Sequence, residues 1–388
     1  MNTIGIIKCI PEKNLECSKE ILKNFEKHNW VYLAPPKDQT KISTSSNLPE
    51  GEGIIISSGG SIGGPNLCLQ SIKNLTNSAL ATGKWLMNLG IKPNECIILN
   101  SLPLHHISGF MPWWRHCTWR SEHHWISPSL MHKPYQLRQF SKAITNNYRR
   151  PLITSLVPTQ LLSLIDNPNG LKWLQSLAII WVGGALIPKD LADKARMKSI
   201  NLAPCYGTTE TVAMVTCLSP KDFLKGSNSV GFPLEDVEIK IDKRNSLKIK
   251  TSRIASSIWK NDKFEPITDT NGWWEAGDLA QYITLDNRQA IQILGRRDSA
   301  INSGGETIFP EDVEMKLMHI ISKNQIPIQE IFVLGVSDKK WGQRLVAITK
   351  FKDQGINRHP IISHLTHLIK DWQPSQKPMK WYDCPRLS

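Results

Sequence analysis

Residues 53–66 read GIIISSGGSIGGPN. The apolar run Gly53-Ile54-Ile55-Ile56 feeds a loop with four glycines and three serines in residues 57–66. A strand ending in a Gly/Ser loop brings backbone N–H groups close to a bound group, often a phosphate. Pro65 is followed by Asn66 rather than by a lysine. The loop therefore offers amide and hydroxyl dipoles without a fixed ammonium. Taken alone, the stretch fits a phosphate cradle or a tight glycine turn with no ligand.

Downstream, Leu69, Ile72, Leu75, Leu80, Trp85 and Leu86 recur with helical spacing. This predicts a helix over 67–89, packed behind the loop. Strand and helix signals then alternate: a strand at 95–99, a helix near 134–148, a strand at 152–157, a helix near 158–166, a strand at 177–182 and a helix near 188–199. That rhythm belongs to an α/β domain with a largely parallel sheet. Upstream, a helix over 18–27 precedes the polar stretch KDQTKISTSSNLPEGEG, which reads as a loop or linker.

The rhythm changes after about residue 228. Val237, Ile239 and Ile241 alternate with charged residues, and Leu247 and Ile249 do so again after Lys243-Arg244-Asn245. Ile283 and the pair Ile291 and Ile293 flank a second turn, Asp286-Asn287. Both read as hairpins of a small antiparallel β subdomain. Past Arg297 come a loop, a helix over 311–323, strands at 331–336 and 345–351, and a helix over 360–371. The predicted fold is α/β. A large N-terminal domain, residues 1–297, has mainly parallel sheet layers plus the antiparallel subdomain. A small α+β C-terminal domain spans residues 298–388.

A chain of 388 residues suits two domains. The longest apolar stretch, Leu177 to Ile187, is too short to cross a bilayer and is broken by Gly183-Gly184. The opening residues lack the features of a signal peptide. Eight cysteines form no C-x-x-C pair and read as the reduced thiols of a cytoplasmic protein. The net charge of +13 raises nucleic acid as a partner, but the basic residues are spread along the chain. A basic surface, or a preference for anionic small substrates, is expected instead of a nucleic-acid partner. Trp113, Trp114, Trp119 and Trp125 stand in polar company and hint at a pocket wall. His105, His106, His116, His123, His124 and His132 match no standard zinc spacing.

Several motifs follow the glycine loop in order. They are PLHHISG at 103–109, Gly183-Gly184-Ala185, YGTTE at 206–210, Gly231-Phe232-Pro233, Gly277-Asp278-Leu279 and GRRDSAINSGGETIFPEDVE at 295–314. The series resembles the adenylate-forming superfamily of acyl- and aryl-CoA ligases, peptide-synthetase adenylation domains and luciferases. The resemblance runs from about residue 54 to the C-terminus, and within the superfamily it leans toward the ligases that activate o-succinylbenzoate. It implies ATP, Mg²⁺ and CoA as substrates and cofactors, and a carboxylic acid activated as its acyl-adenylate. A different aryl or fatty acid, or a non-turnover adenylate-binding relative, stays open, as does oligomeric state, a homo-oligomer included.

The resemblance also assigns roles. Ser58, Gly60, Ser61 and Gly63 would hold the β- and γ-phosphates. Gly183, Gly184 and Ala185 would floor the site beside adenine and acyl group. Tyr206 would stack on adenine, Gly207 would permit a tight turn, and Thr208 and Thr209 would reach the α-phosphate. Glu210 would bind Mg²⁺, directly or through water. Asp278 would grip the ribose hydroxyls, and Arg296 would contact ribose or phosphate. His106 would line the acyl pocket; apart from the resemblance, Arg115 and Arg120 lie near it in sequence, so this region could hold an anionic acid. Asp298 would be the hinge, and Gly304 and Gly305 would border the pantetheine channel.

The sequence departs from the family pattern at Asn66, where a lysine is usual, and at Ile62, where a threonine is usual. The family's small domain carries a lysine loop, and this sequence stops at Ser388 before that lysine is due. Fewer residues than usual also precede the glycine loop. These features lead to the expectation of weakened charge stabilisation during adenylation.

Overall fold

The computed structural model describes residues 4–38, 48–58, 66–145, 150–260, 263–353, 355 and 357–385. The chain forms two compact units. The first comprises Met1–Lys243, Leu247–Ala276 and Gln281–Gln292, and the second Arg244–Ser246, Gly277–Ala280 and Ile293–Ser388. The sequence draws a division at Asp298; the second unit begins five residues earlier and takes in two short segments besides.

Two sheets organise the first unit. In one, Ile4–Lys8, Trp30–Ala34 and Gly53–Ser57 run parallel. Gly53–Ser57 then pairs antiparallel with Leu67–Ser71, in register from Gly53↔Ser71 to Ser57↔Leu67. The expected helix over 67–89 therefore begins only at Ile72, and runs to Asn88. Helical spacing could not separate these first five residues from the helix, because Leu67 and Leu69 also satisfy strand alternation. The partner strand decides the matter. Ser71 marks the change, its hydroxyl accepting from Asn74 N as the helix N-cap.

The other sheet has seven strands, in the order Phe232–Pro233, Ala213–Cys217, Leu202–Thr208, Ile179–Val182, Leu152–Leu156, Ile97–Asn100 and Glu122–Trp125. The last five are mutually parallel, and the first two are antiparallel additions. The central parallel strands Ile97–Asn100, Leu152–Leu156 and Ile179–Val182 are largely apolar and buried, as strands covered on both faces must be, whereas the edge strand Glu122–Trp125 is polar and half-buried. Leu99, Leu156, Ile180, Val182 and Leu202 pack with Leu161, Leu164, Trp173 and Leu191 of the covering helices in one buried cluster.

The predicted antiparallel segment is also present. Glu238–Ile241 and Ser246–Lys250 form a hairpin, and Trp274–Leu285 and Arg288–Arg296 extend it to a four-stranded sheet. The second turn uses Asp286 and Asn287, both at positive φ, as a two-residue hairpin turn requires.

In the second unit, Ile301–Ser303, Glu306–Ile308, Ile328–Asp338, Gly342–Phe351 and Lys380–Asp383 form a five-stranded sheet. The helices Pro310–Lys323 and Arg358–Leu368 contribute Val313, Leu317, Ile321 and Leu365 to a core with Val333, Leu345 and Ala347. Among the described residues, no helix is long and apolar enough to cross a membrane.

Candidate functional site

The carboxyl ends of the parallel strands carry much of what the motifs single out. In open α/β sheets, side chains and amides at those ends are free to meet a ligand. Ile97–Asn100 leads to His106, Ile179–Val182 leads to Gly183-Gly184-Ala185, and Leu202–Thr208 ends in Tyr206-Gly207-Thr208. Gly184 has φ +82°, turning the chain away from the strand.

The YGTTE segment differs from its expected geometry. Gly207 sits inside the strand, opposite Met214, and makes no turn. A Cβ there would lie 1.8 Å from the carbonyl oxygen of Ala213, so the glycine serves close approach of the two strands. The turn comes later, at Val212 and Ala213, with φ of +54° and +66°. Two successive L-residues in the left-handed region, one of them β-branched, are strained and need outside support.

That support comes from buried polar side chains. Gln70 Nε2 donates to the carbonyls of Thr209 (2.8 Å) and Glu210 (3.1 Å). Ala255 N donates to Glu210 O at 2.8 Å. Ser78 Oγ donates to Val212 O at 2.7 Å. Arg253 Nη1 donates to Thr211 O (3.1 Å) and Met214 O (2.8 Å). None of Gln70, Ser78, Arg253 or the Asp236 that pairs with Arg253 was singled out from sequence. One signal existed: Asn74, Ser78 and Thr82 recur every fourth residue on the buried face of a helix, where apolar residues are the rule.

Glu210 is half-buried. Cys68, fully buried on Leu67–Ser71 of the other sheet, has its thiol held well above its ordinary pKa by burial, then by the Glu210 carboxylate. The same thiol reaches the Ser58 hydroxyl. Ser58, itself buried, therefore shares an environment with Glu210. Ser58 N bonds to Asn66 O at 2.8 Å, closing the base of the glycine loop. Gly60, Ser61 and Gly63 lie outside the described residues.

Within the histidine-rich region, Ile107–Trp119 is a helix, an element the sequence periodicity does not predict. Trp113, Trp114 and Trp119, expected at a pocket wall, are all buried. Trp114 packs edge-on against Phe25, and Trp119 Nε1 donates to Ala79 O. Their apolar rings decide their place. His106 is the helix N-cap residue; it is exposed, though neighbouring atoms crowd its ring enough to lower its pKa. Its ring lies 4.3 Å from that of His105, whose pKa burial lowers to about 4. Arg120 is an exposed C-cap residue.

Arg115 is the opposite case. It is 2 % exposed, and its guanidinium lies 4.9 Å from the Trp181 ring centroid. Nη2 donates to Thr82 Oγ1 at 3.4 Å, and Nε has no hydrogen-bond partner. Burial lowers its pKa to about 10, which leaves it charged. The Cys205 thiol beside it is pushed up to about 12 by burial, so it stays neutral. Among the described residues, no carboxylate pairs with Arg115. A buried cation without an anion is costly unless a bound group supplies one.

In the second unit, Asp278 is 6 % exposed and its Oδ1 lies 3.9 Å from Arg296 Nε. Arg296 grips Asp298 with two hydrogen bonds of 3.0 Å, which hold the Asp298 carboxyl below its usual range. The expected ribose contact and the expected hinge residue are thus an ion pair here. Gly304 and Gly305, at φ +63° and +88°, turn the hairpin between Ile301–Ser303 and Glu306–Ile308. Among the described residues, no group of three or more His, Cys, Asp or Glu is arranged to hold a metal.

Comparison with known proteins gives a consistent result. The family model described as "AMP-binding enzyme" matches residues 7–251. The 2-succinylbenzoate–CoA ligase of Salmonella typhimurium is 31 % identical over 291 residues, 74 % of this chain and 55 % of the relative. That of Bacillus subtilis is 29 % identical over 293 residues, 73 % of this chain and 56 % of the relative. The chain thus spans about half the length of these relatives. Among solved structures, the fold is similar to o-succinylbenzoate CoA synthetase from Bacillus subtilis in complex with the acyl-adenylate intermediate OSB-AMP. The TM-score is 0.69 at 21 % identity, covering 100 % of this chain and 85 % of that one. The same enzyme in complex with ATP and magnesium gives a TM-score of 0.68 at 20 % identity, over 100 % and 86 % of the two chains.

Proposed function

Because this chain belongs to the AMP-binding enzyme family, we propose that it is an ATP-dependent acid–thiol ligase acting on o-succinylbenzoate. The acid would become an acyl-adenylate and then pass to CoA. The observation that carries this reading is Arg115, a buried guanidinium without an acidic partner among the described residues, in the same unit as Thr209 and Glu210. o-Succinylbenzoate has two carboxylates. One is activated, and the other stays charged and needs a cation. A mono-acid such as benzoate or a fatty acid would leave Arg115 unpaired.

In the first step a carboxylate oxygen attacks the α-phosphorus of ATP, the bond to the bridging oxygen breaks, and pyrophosphate leaves. Positioning and charge stabilisation provide most of the rate gain in such a transfer. The Thr208 and Thr209 hydroxyls would donate to the α-phosphate. Glu210, with the Ser58 hydroxyl nearby, offers the hard oxygen donors that suit Mg²⁺. That ion would neutralise charge on the leaving pyrophosphate. Asp278 can accept from both ribose hydroxyls, and Tyr206 offers an aromatic face to adenine. In the second step the CoA thiolate attacks the acyl carbon and AMP departs, with Gly304 and Gly305 bordering the pantetheine path. His106 would line the acyl site, and Asp298 would act as the hinge between residues 1–297 and 298–388. Eight free cysteines fit a reducing setting, which is our basis for a cytoplasmic location.

Acid-dependent ATP–pyrophosphate exchange tests the proposal. Exchange stimulated by o-succinylbenzoate and not by benzoate or fatty acids is the expected result. Exchange with a fatty acid alone would overturn the substrate. Tight MgATP binding without exchange for any acid would favour a non-turnover adenylate-binding protein, a reading that Asn66 in place of a lysine supports.

A further inference from the structure

We propose that Arg253 is a positioning residue for the Thr209–Glu210 turn, a role that rests on the reading above and assigns the source of that turn's rigidity. The side chain is fully buried, at 0 % exposure. Nε and Nη2 meet the two oxygens of Asp236 at 2.6 and 3.3 Å, so its charge is neutralised on one edge. Nη1 on the other edge donates to Thr211 O, Met214 O and Ser78 Oγ. Thr211 and Met214 are the residues immediately before and after the two left-handed residues, Val212 and Ala213. One guanidinium nitrogen therefore ties both ends of the strained pair.

The remaining bonds close the same frame. Ser78 Oγ, itself bonded by Arg253, donates to Val212 O at 2.7 Å. Thr211 Oγ1 accepts from Thr208 N at 3.0 Å and donates to Ala213 O at 2.9 Å. Gln70 holds the carbonyls of Thr209 and Glu210. With these carbonyls satisfied from behind, the backbone of the turn makes no demand on the Thr209 and Glu210 side chains. A planar fork suits this task, since one group must serve a carboxylate and two carbonyls in fixed directions. Lysine would keep the charge and lose the fork. Arg253 touches neither substrate nor metal in this scheme and acts only through the turn.

The test compares Arg253→Lys and Arg253→Met with the unaltered chain by three measurements: pyrophosphate exchange per folded molecule, its Mg²⁺ dependence, and amide hydrogen exchange of residues 208–214. The expected result is a fall in kcat of about 10-fold for Lys and about 100-fold for Met, as misplacement of reacting groups produces. The half-saturating Mg²⁺ concentration should rise severalfold and the KM for the acid should stay within about twofold, since Arg115, the cation proposed to pair with the acid, is not substituted. Turn amides should exchange at least about tenfold faster. If Met prevents folding, Lys carries the test. Activity per folded molecule and Mg²⁺ dependence unchanged in a folded variant would overturn the proposal while leaving the ligase reading intact. An unaltered chain that neither exchanges pyrophosphate nor binds MgATP would overturn both.

Discussion

Under the proposed function, Arg115 would serve the acid and Glu210 the metal that accompanies the nucleotide. Arg115→Met removes a buried cation that the described residues do not neutralise. A charge-assisted hydrogen bond is worth about 1.5–3 kcal/mol, so kcat/KM for o-succinylbenzoate should fall about 10- to 100-fold. The KM for ATP should not change. The folded state should hold or gain stability, because an uncompensated buried charge is lost; thermal unfolding checks this. Glu210→Gln should act differently. It keeps the shape and removes the charge that favours Mg²⁺, so exchange should fall on the order of 100-fold, with a higher Mg²⁺ requirement and an unchanged KM for the acid. Equal loss of acid and ATP affinity in both variants would refute the division.

At the scale of elements, the hairpin of Leu202–Thr208 and Ala213–Cys217 is the most constrained part of the site. Gly207→Ala would push a methyl group against the Ala213 carbonyl, 1.8 Å from the new Cβ. Backbone cannot yield as a side-chain tip can, so the two strands must separate. The cost should be about 3 kcal/mol or more, in the range of backbone clashes and strain, and denaturant unfolding would measure it. The periodicity that predicts helices and strands does not register such contacts. It located the strands at 95–99, 152–157 and 177–182 and the helices near 134–148, 158–166 and 188–199 within a few residues, because burial on both faces leaves an apolar run, and it gave no strand at Leu202–Thr208 or Glu122–Trp125. It merged Leu67–Ser71 with the helix that follows, and gave no helix over 107–119 although Ile107, Phe110, Met111 and Trp114 fall on one buried face. Pro112 and the neighbouring histidines masked that face.

At the scale of the whole chain, pH should act on the second unit through Glu314. Burial raises its carboxyl to about 7, against a lowering bond from Val333 N. Asp312 on the same helix is raised to about 6. In the unfolded chain both would ionise near their ordinary values. The folded unit therefore holds protons that the unfolded chain releases between about pH 3.8 and 7, and stability falls as pH rises through that window. Glu314→Gln should flatten the slope and stabilise the unit at pH 8 by on the order of 1 kcal/mol, discounting for partial exposure. Amide exchange of Ile328–Asp338 as a function of pH would read this. An unchanged slope would refute it.

Local sequence was enough to determine the parallel α/β rhythm, the hairpins at Asn245 and Asp286-Asn287, and the order of motifs that marks the family. Each depends on residues close together in the chain: alternation, turn chemistry and short spacings. Tertiary structure alone decided that Gly207 is a contact glycine, that Arg115 is buried beside Trp181, and that Gln70, Ser78, Asp236 and Arg253 meet around the Thr209–Ala213 turn. Arg253 and Ser78 are 175 residues apart, and Gln70 and Thr209 are 139 apart. No local pattern encodes such pairs. A buried carbonyl needs a donor from wherever the fold brings one, and only the folded chain chooses it.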